Sequence, residues 1–336
     1  MDATSDAPPS PSEPAPVDPV LIVCWSPAGV TESGDIHALA SMLADPGARL
    51  WIDLIEPAQD VVRTVAAVLE LHPLIADDIQ ERNERPKIAT YDDMLHVVLF
   101  NLEYGGEVHP AEIDLVVGRR FLLSVHDADC DLRRRVQVRG GIGATIAKGP
   151  DFLLYTIADR VVDDYFPVLD RLADEIDELQ DKVLQSPSEW TLQRLFVLKR
   201  ELLTIRRATS PAREVLNQLT NRDLDMISPD HVVYLRDVYD HLIRVTDELD
   251  NYRELVSGTL EIYLSTINNN LSTIMKRLTG VTVILAGIGA VAGIFGMSEA
   301  ALAVANGEST GFWLITGLIL LAAALAAIVL RRIDWI

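Results

Sequence analysis

The 336-residue chain has room for about two domains at ~150 residues each, and its net charge of −21 argues against a nucleic-acid-binding face, which needs basic residues. The acidic balance, with a pI near 4.6, suits a solvated domain that attracts cations. Two cysteines, Cys24 and Cys130, without CxxC spacing, rule out a disulfide framework and point to a reducing compartment.

Residues 1–19 are rich in proline, serine and acid, with no basic n-region and no apolar h-region, so they read as a disordered tail and not as a signal peptide. Residues 20–150 mix strand-like runs ("LIVCWSP", "HVVLFNLEY", "EIDLVVGRRFLLSVHD") with helix-like ones ("PAQDVVRTVAAVLEL", "HPLIADDIQE"). This predicts a cytosolic α/β domain, with "RGGIGATIAKGP" as a turn-rich connection.

Residues 151–277 are helical throughout. Val162, Tyr165, Leu169, Leu172, Ile176, Leu179 and Val183 keep a period near 3.5 against an acidic opposite face. A partner helix follows and is expected to break near Ser210-Pro211. From His231 a third helical pattern runs without proline into the apolar C-terminal region, and a helix over 231–298 would be ~100 Å long. A rod of that length needs neighbours or symmetry mates to bury its stripe.

Two charge-free runs, 278–298 and 309–330, are each near the ~20 residues that cross a bilayer core. Transmembrane helices are assigned to 278–298 and 312–330, the connection to 299–311 and a tail to 331–336. Lys276, Arg277, Arg331 and Arg332 flank the outer ends, whereas the connection carries glutamates and no basic residue. The positive-inside rule therefore puts both termini in the cytoplasm and the loop outside. In the first span Thr282, Ala286, Gly289, Gly293 and Gly296 form a small or polar stripe that continues from Leu278 at steps of three and four. Helix packing of the Gly289-x-x-x-Gly293 kind and the lining of a pore both account for it, and the residues alone do not choose.

Several motifs in order, from about residue 45 to the C-terminus, resemble the CorA family of divalent-cation channels. They are "HPLIADDIQERNERPKI", the helical stretches "LLYTIADRVVDDYFPVLDRLADEIDELQD" and "LKRELLTIRRATSPAREVLNQL", and the stalk from Tyr234 to Thr279. The resemblance implies an α+β fold: a cytosolic α/β domain, a long helical stalk and two C-terminal transmembrane helices, assembled as a homopentameric funnel in the inner membrane. It implies transport of Mg²⁺, with Co²⁺ and Ni²⁺ also accepted. Regulatory cations are implied at Asp78, with Asp77 beside it, and at Asp237. Met275 and Leu278 fall at the gate, Thr282, Ala286, Gly289 and Gly293 on the pore lining, and Glu261 and Asn268 at the pore entrance. The outer selectivity mouth falls on Gly296, Met297, Ser298 and Glu299.

The sequence departs from the family pattern in having Ser298 where the signature has Asn, Gly287 where a proline is usual, and no acidic Met-Pro-Glu-Leu-like loop. Altered cation selectivity is the expectation. A zinc-transporting relative of the ZntB type is the alternative, but the seven histidines show neither HxxxH nor HxH spacing. A membrane-anchored scaffold is a second rival and predicts no conduction. An enzyme is not expected, since GxSxG, HExxH, P-loop and dinucleotide motifs are all missing from the sequence.

Overall fold

The structure is a computed structural model that describes residues 18–82, 85–137, 141–221, 224–298 and 310–332. It is a mixed α+β fold with an N-terminal sheet domain and a long helix. Seven strands form one sheet: β1 (Val20–Ser26), β2 (Gly29–Ser33), β3 (Arg49–Ile55), β4 (Lys87–Tyr91), β5 (Met94–Tyr104), β6 (Val108–Val117) and β7 (Phe121–His126). Their order is β2-β1-β3-β7-β6-β5-β4, antiparallel except for the parallel β3–β7 pair. Strand order could not be read from the sequence, because alternation marks which face a residue takes and not which strand it meets. The run "EIDLVVGRRFLLSVHD" belongs to two strands, β6 and β7.

Alternation along the strands sorts the sheet into two faces. Leu50, Ile52 and Leu54 of β3, with Phe121, Leu123 and Val125 of β7, join a core with α1 (Ala38–Leu43), α2 (Gln59–Leu69) and α3 (Pro73–Glu81). Trp51, Asp53, Ser124 and His126 take the other side, where a polar layer is buried. The helix α6 (Pro150–Asp163) packs on the sheet at β3, β5, β6 and β7. Two short helices, α4 (Leu132–Gln137) and α5 (Ile142–Ile146), precede it. The turn-rich connection also contains a one-turn helix, in which Ile142 and Ile146 are buried.

The entry into α3 is set by local chemistry. Pro73 at the first turn lacks the N–H that a helix start leaves unpaired anyway, and His72 Nδ1 accepts from the Leu74 N–H at 3.2 Å. The His72 ring also stacks on Tyr91 of β4 at 4.7 Å, which ties the helix start to the sheet edge.

The remaining chain is helical: α7 (Tyr165–Gln185), α8 (Glu189–Asn221), α9 (Val232–Ser298) and α10 (Thr310–Arg332). All seven residues of the 3.5-period stripe, Val162 to Val183, are buried. The break expected near Pro211 does not occur: α8 runs through it for 33 residues. A proline removes one backbone hydrogen bond and crowds one turn. Buried Ala208, Ala212, Val215 and Leu216 on either side hold the helix together through packing.

The chain divides into two compact units. One comprises residues 1–177 and 195–256, and the other comprises 178–194 and 257–336. In the first, Tyr165 is fully buried and its hydroxyl donates to the Phe100 carbonyl. Burial, with the Asp164 carboxylate adding to it, pushes that phenol well above the usual tyrosine range. In the second unit Leu179, Val183, Thr191, Thr259 and Tyr263 are buried.

Candidate functional site

Two regions of the first unit carry the predicted metal-binding carboxylates, and each is built by a different pair of elements. Asp77 and Asp78 lie on the middle turn of α3. Ile75 and Ile79 of that helix face the core, so Asp77 is exposed and Asp78 lies half-buried above the β4–β5 edge. The Asp78 Oδ2 atom receives Lys87 Nζ at 2.6 Å, and His96 Nδ1 stands 3.7 Å from the same oxygen. His96 is fully buried, and its Nε2 meets Asp114 Oδ1 at 2.8 Å. His96 of β5 and Asp114 of β6 face the same side because they are diagonal neighbours, paired across the ladder with Val116 and Val98 respectively.

Asp237 lies on the second turn of α9 and is exposed. One helical turn on, His241 Nε2 is 4.0 Å from Asp237 Oδ2, while His241 Nδ1 is 3.6 Å from Asp163 Oδ1. Asp159, Asp163 and His241 each offer a ligand atom, all within 4.8 Å of one another. Among the described residues this is the only group of three or more such side chains that close together. The sequence reading missed it, although the signal was present. Asp159 and Asp163 share a face of α6, and Asp237 and His241 share one of α9, both at a spacing of four.

The donor chemistry fits a divalent cation. Asp159 and Asp163 supply hard carboxylate oxygens of the kind Mg²⁺ prefers, and a single imidazole also suits Co²⁺ or Ni²⁺. The one chain does not bring Asp77 or Asp78 into a group with Asp237: the close group contains neither pair.

The predicted pore residues all lie on α9. This helix holds the stretch that, among the described residues, is long and apolar enough to cross a membrane. Glu261, Asn268, Met275, Leu278, Thr282, Ala286, Gly289 and Gly293 are exposed within the chain. A Cβ added at Gly289 or Gly293 would meet nothing within 4 Å among the described residues, so no contact there requires these glycines. On the other side of the helix an apolar groove of about 520 Å³ is lined by Val283, Ile284, Gly287, Ile288 and Val291 together with residues of α10. At ~100° per residue, the stripe from Met275 to Gly293 is centred about 190° round the axis from that groove. The face with the small residues thus points away from α10. Gly296, Met297 and Ser298 lie within α9 but their side chains are outside the described residues, as is Glu299 altogether. The connecting loop falls outside them as well, together with the N-terminal tail up to residue 17.

Comparison with known proteins agrees with this architecture. The sequence matches the family described as CorA-like Mg²⁺ transporter protein over residues 47–332. It is 33% identical over 246 residues to the cobalt/magnesium transport protein CorA of Thermotoga maritima, covering 71% of this chain and 70% of that protein. The solved structure of the complete CorA magnesium transporter of Methanocaldococcus jannaschii is similar with a TM-score of 0.76 at 22% identity, over 94% of this chain and 98% of that one. The full-length CmaX protein gives 0.73 at 20% identity, over 96% and 100%. The ZntB cytoplasmic domain of Vibrio parahaemolyticus gives 0.57 at 14% identity, over 74% and 98%. At these identities the structural likenesses speak to fold alone.

Proposed function

Because the chain belongs to the CorA-like Mg²⁺ transporter family, we propose that it is a divalent-cation channel that carries Mg²⁺, and also Co²⁺ and Ni²⁺, through the pore of a homopentamer. The observation that carries this reading is the orientation of the small-residue stripe on α9. A membrane helix that used Gly289 and Gly293 only to pack on α10 would turn them toward α10, and here they face away. Small side chains on a face with no partner among the described residues suit five copies of α9 meeting around an aqueous axis. The helix α10 then forms a second, outer span, and both termini lie on the cytoplasmic side of the inner membrane.

In this arrangement Met275 and Leu278 form an apolar constriction near the cytosolic mouth, which blocks ions by excluding water. Thr282, Ala286, Gly289 and Gly293 leave room above it for an ion that keeps its hydration shell. Glu261 and Asn268 present acidic and amide oxygens at the cytosolic end. Gly296, Met297, Ser298 and Glu299 occupy the outer mouth.

Asp77, Asp78 and Asp237 regulate opening, and the Asp159–Asp163–His241 group belongs to the same cytosolic control. A bound Mg²⁺ supplies the positive charge that offsets neighbouring carboxylates across subunits. Without it those carboxylates repel one another, by about 4 kcal/mol for a pair at ~4 Å in a medium of effective dielectric ~20, and the closed assembly loosens. Falling cytosolic Mg²⁺ thus opens the pore.

The test is flux into proteoliposomes containing the purified chain, with an internal Mg²⁺ indicator and parallel runs in Co²⁺, Ni²⁺ and Zn²⁺. Uptake above protein-free vesicles for Mg²⁺ is the expected result. If none of the four ions moves, the chain is not a channel and the scaffold reading takes its place.

A further inference from the structure

The ion pair between α3 and the edge strand β4 uses the carboxylate that the proposed regulation needs. Lys87 is the first residue of β4, set opposite Val98 of β5, and its ammonium reaches Asp78 Oδ2 at 2.6 Å. The two side chains are 30% and 29% exposed, so the pair is screened less than a surface salt bridge yet remains open on one side. Beneath it lies His96 Nδ1, a fully buried nitrogen with no hydrogen-bond partner among the described residues, 3.7 Å from the same oxygen. His96 is fixed from its far side by Asp114, so it cannot follow Asp78 outward. Among the described residues, Lys87 is therefore the close partner of this oxygen that can leave it.

We propose that Lys87 is a built-in counter-cation of the regulatory carboxylate: it occupies Asp78 when the divalent ion is absent and sets the concentration at which that ion displaces it. This rests on the reading of Asp78 as a regulatory ligand. Mg²⁺ requires oxygens at ~2.1 Å in near-octahedral array and repels an ammonium held at the same oxygen, so the two cations compete for Asp78. A lysine suits the role because its compact charge rides on a flexible stem and can swing to water, whereas an arginine fork holds a carboxylate in two places. The competition has two consequences. It tempers, without cancelling, the repulsion at Asp78 that loosens the assembly when cytosolic Mg²⁺ is low. It also raises the Mg²⁺ concentration needed for closure.

The experiment uses the full chain in detergent and reads Mg²⁺-dependent protection from limited proteolysis, with equilibrium Mg²⁺ binding as a second measure. Lys87→Met is expected to lower the Mg²⁺ midpoint about tenfold, and Asp78→Asn to raise it. In the double variant the Lys87 effect should vanish. Lys87→Arg, which retains the charge, should stay within about threefold of the parent, and circular dichroism melts identify any variant that fails to fold. A Lys87→Met midpoint equal to the parent's, with Asp78→Asn still shifted, overturns the competition and leaves Asp78 as a ligand. An effect of Lys87→Met that persists in the Asp78→Asn background overturns it too, since Lys87 then acts elsewhere. If Asp78→Asn itself shifts nothing, the reading of Asp78 fails and the role of Lys87 fails with it.

Discussion

His241 Nδ1 stands 3.6 Å from Asp163 Oδ1, across two helices that the sequence places about eighty residues apart. That nitrogen is buried without a hydrogen-bond partner among the described residues, and Phe166 covers the ring edge-on at 6.4 Å. With Asp159 within reach, the arrangement offers a divalent ion two carboxylates and an imidazole.

Asp163→Asn should therefore weaken Mg²⁺ binding at this group. Removing one charged oxygen from a site of so few ligands is expected to cost at least about tenfold in affinity, given that even outer-shell changes cost 10–100-fold. Bound Mg²⁺ should raise the thermal midpoint of the purified chain by mass action, and the variant should need about ten times more ion for the same rise. An unchanged dose curve removes the group from the metal-binding inventory.

A second prediction concerns acid stability. The buried Asp53 carboxylate accepts from Arg133 Nε at 2.7 Å, lies 3.1 Å from His126 Nε2 and takes the Ser124 hydroxyl, which in turn receives Trp51 Nε1–H at 2.9 Å. Burial alone raises its pKa. The His126 hydrogen bond and charge, then the bonds from Ser124 and Arg133, outweigh burial and hold it below the usual range. Since the folded-state value is depressed, its stabilisation is complete above the unfolded value of ~3.9 and is lost as pH falls through the folded one. Asp53→Asn should flatten the stability profile below about pH 4. Asp53→Ala should cost roughly 3–5 kcal/mol at neutral pH, because Arg133 and His126 keep their positions without their anion. Denaturant melts across pH read both effects.

Gly289→Leu and Gly293→Leu test the orientation of α9. Neither added side chain meets an atom of the described residues at its Cβ, so the fold of the single subunit should be retained. In a ring of subunits each leucine enters the lumen five times over. Mg²⁺ flux should drop at least about tenfold while the melting temperature stays within a few degrees, an effect larger than ordinary surface substitutions produce. Leu285→Ala, exposed and off both faces, serves as the control and should leave flux near the parent's. Full flux through the Gly289→Leu protein places that face in lipid instead.

Local chemistry made much of this molecule legible. The start of α3 at His72-Pro73, the unbroken pattern feeding α9 and the buried stripe from Val162 to Val183 were all readable from residue spacing. What escaped depends on contacts between distant segments. Nothing near Pro211 announces that packing would carry α8 through it, and no alternation pattern announces that β3 pairs in parallel with β7. Asp78 read as a regulatory ligand on the resemblance alone, whereas the fold places a lysine and a buried histidine at one of its oxygens. His241 read as an isolated histidine until α6 and α9 met. Titratable groups take their roles from neighbours supplied by tertiary structure, and one-dimensional spacing carries only half of each such pair.

The last prediction turns on Ser298, the final residue of α9. In the proposed channel Ser298 would stand in a ring at the outer mouth and meet an ion that still holds its waters, because Mg²⁺ sheds them reluctantly. An asparagine presents a carbonyl oxygen and an amide donor on a longer stem, so a ring of five closes inward and orients the first hydration shell. A serine presents one hydroxyl close to the backbone, which leaves the ring wider and each hydrogen bond to water harder to reach. Glu299, one residue on in the sequence, would in that channel add charge that attracts divalent ions without discriminating among them. Ser298→Asn should therefore raise the preference for Mg²⁺ over Co²⁺ and Ni²⁺ by about three- to tenfold, or ~1 kcal/mol of selectivity. Glu299→Gln should instead lower the uptake of all three ions together. The two variants separate selection by hydration geometry from attraction by charge, and competition flux in proteoliposomes measures both. A Ser298→Asn variant with the parent's ion preference means that selection occurs deeper in the pore.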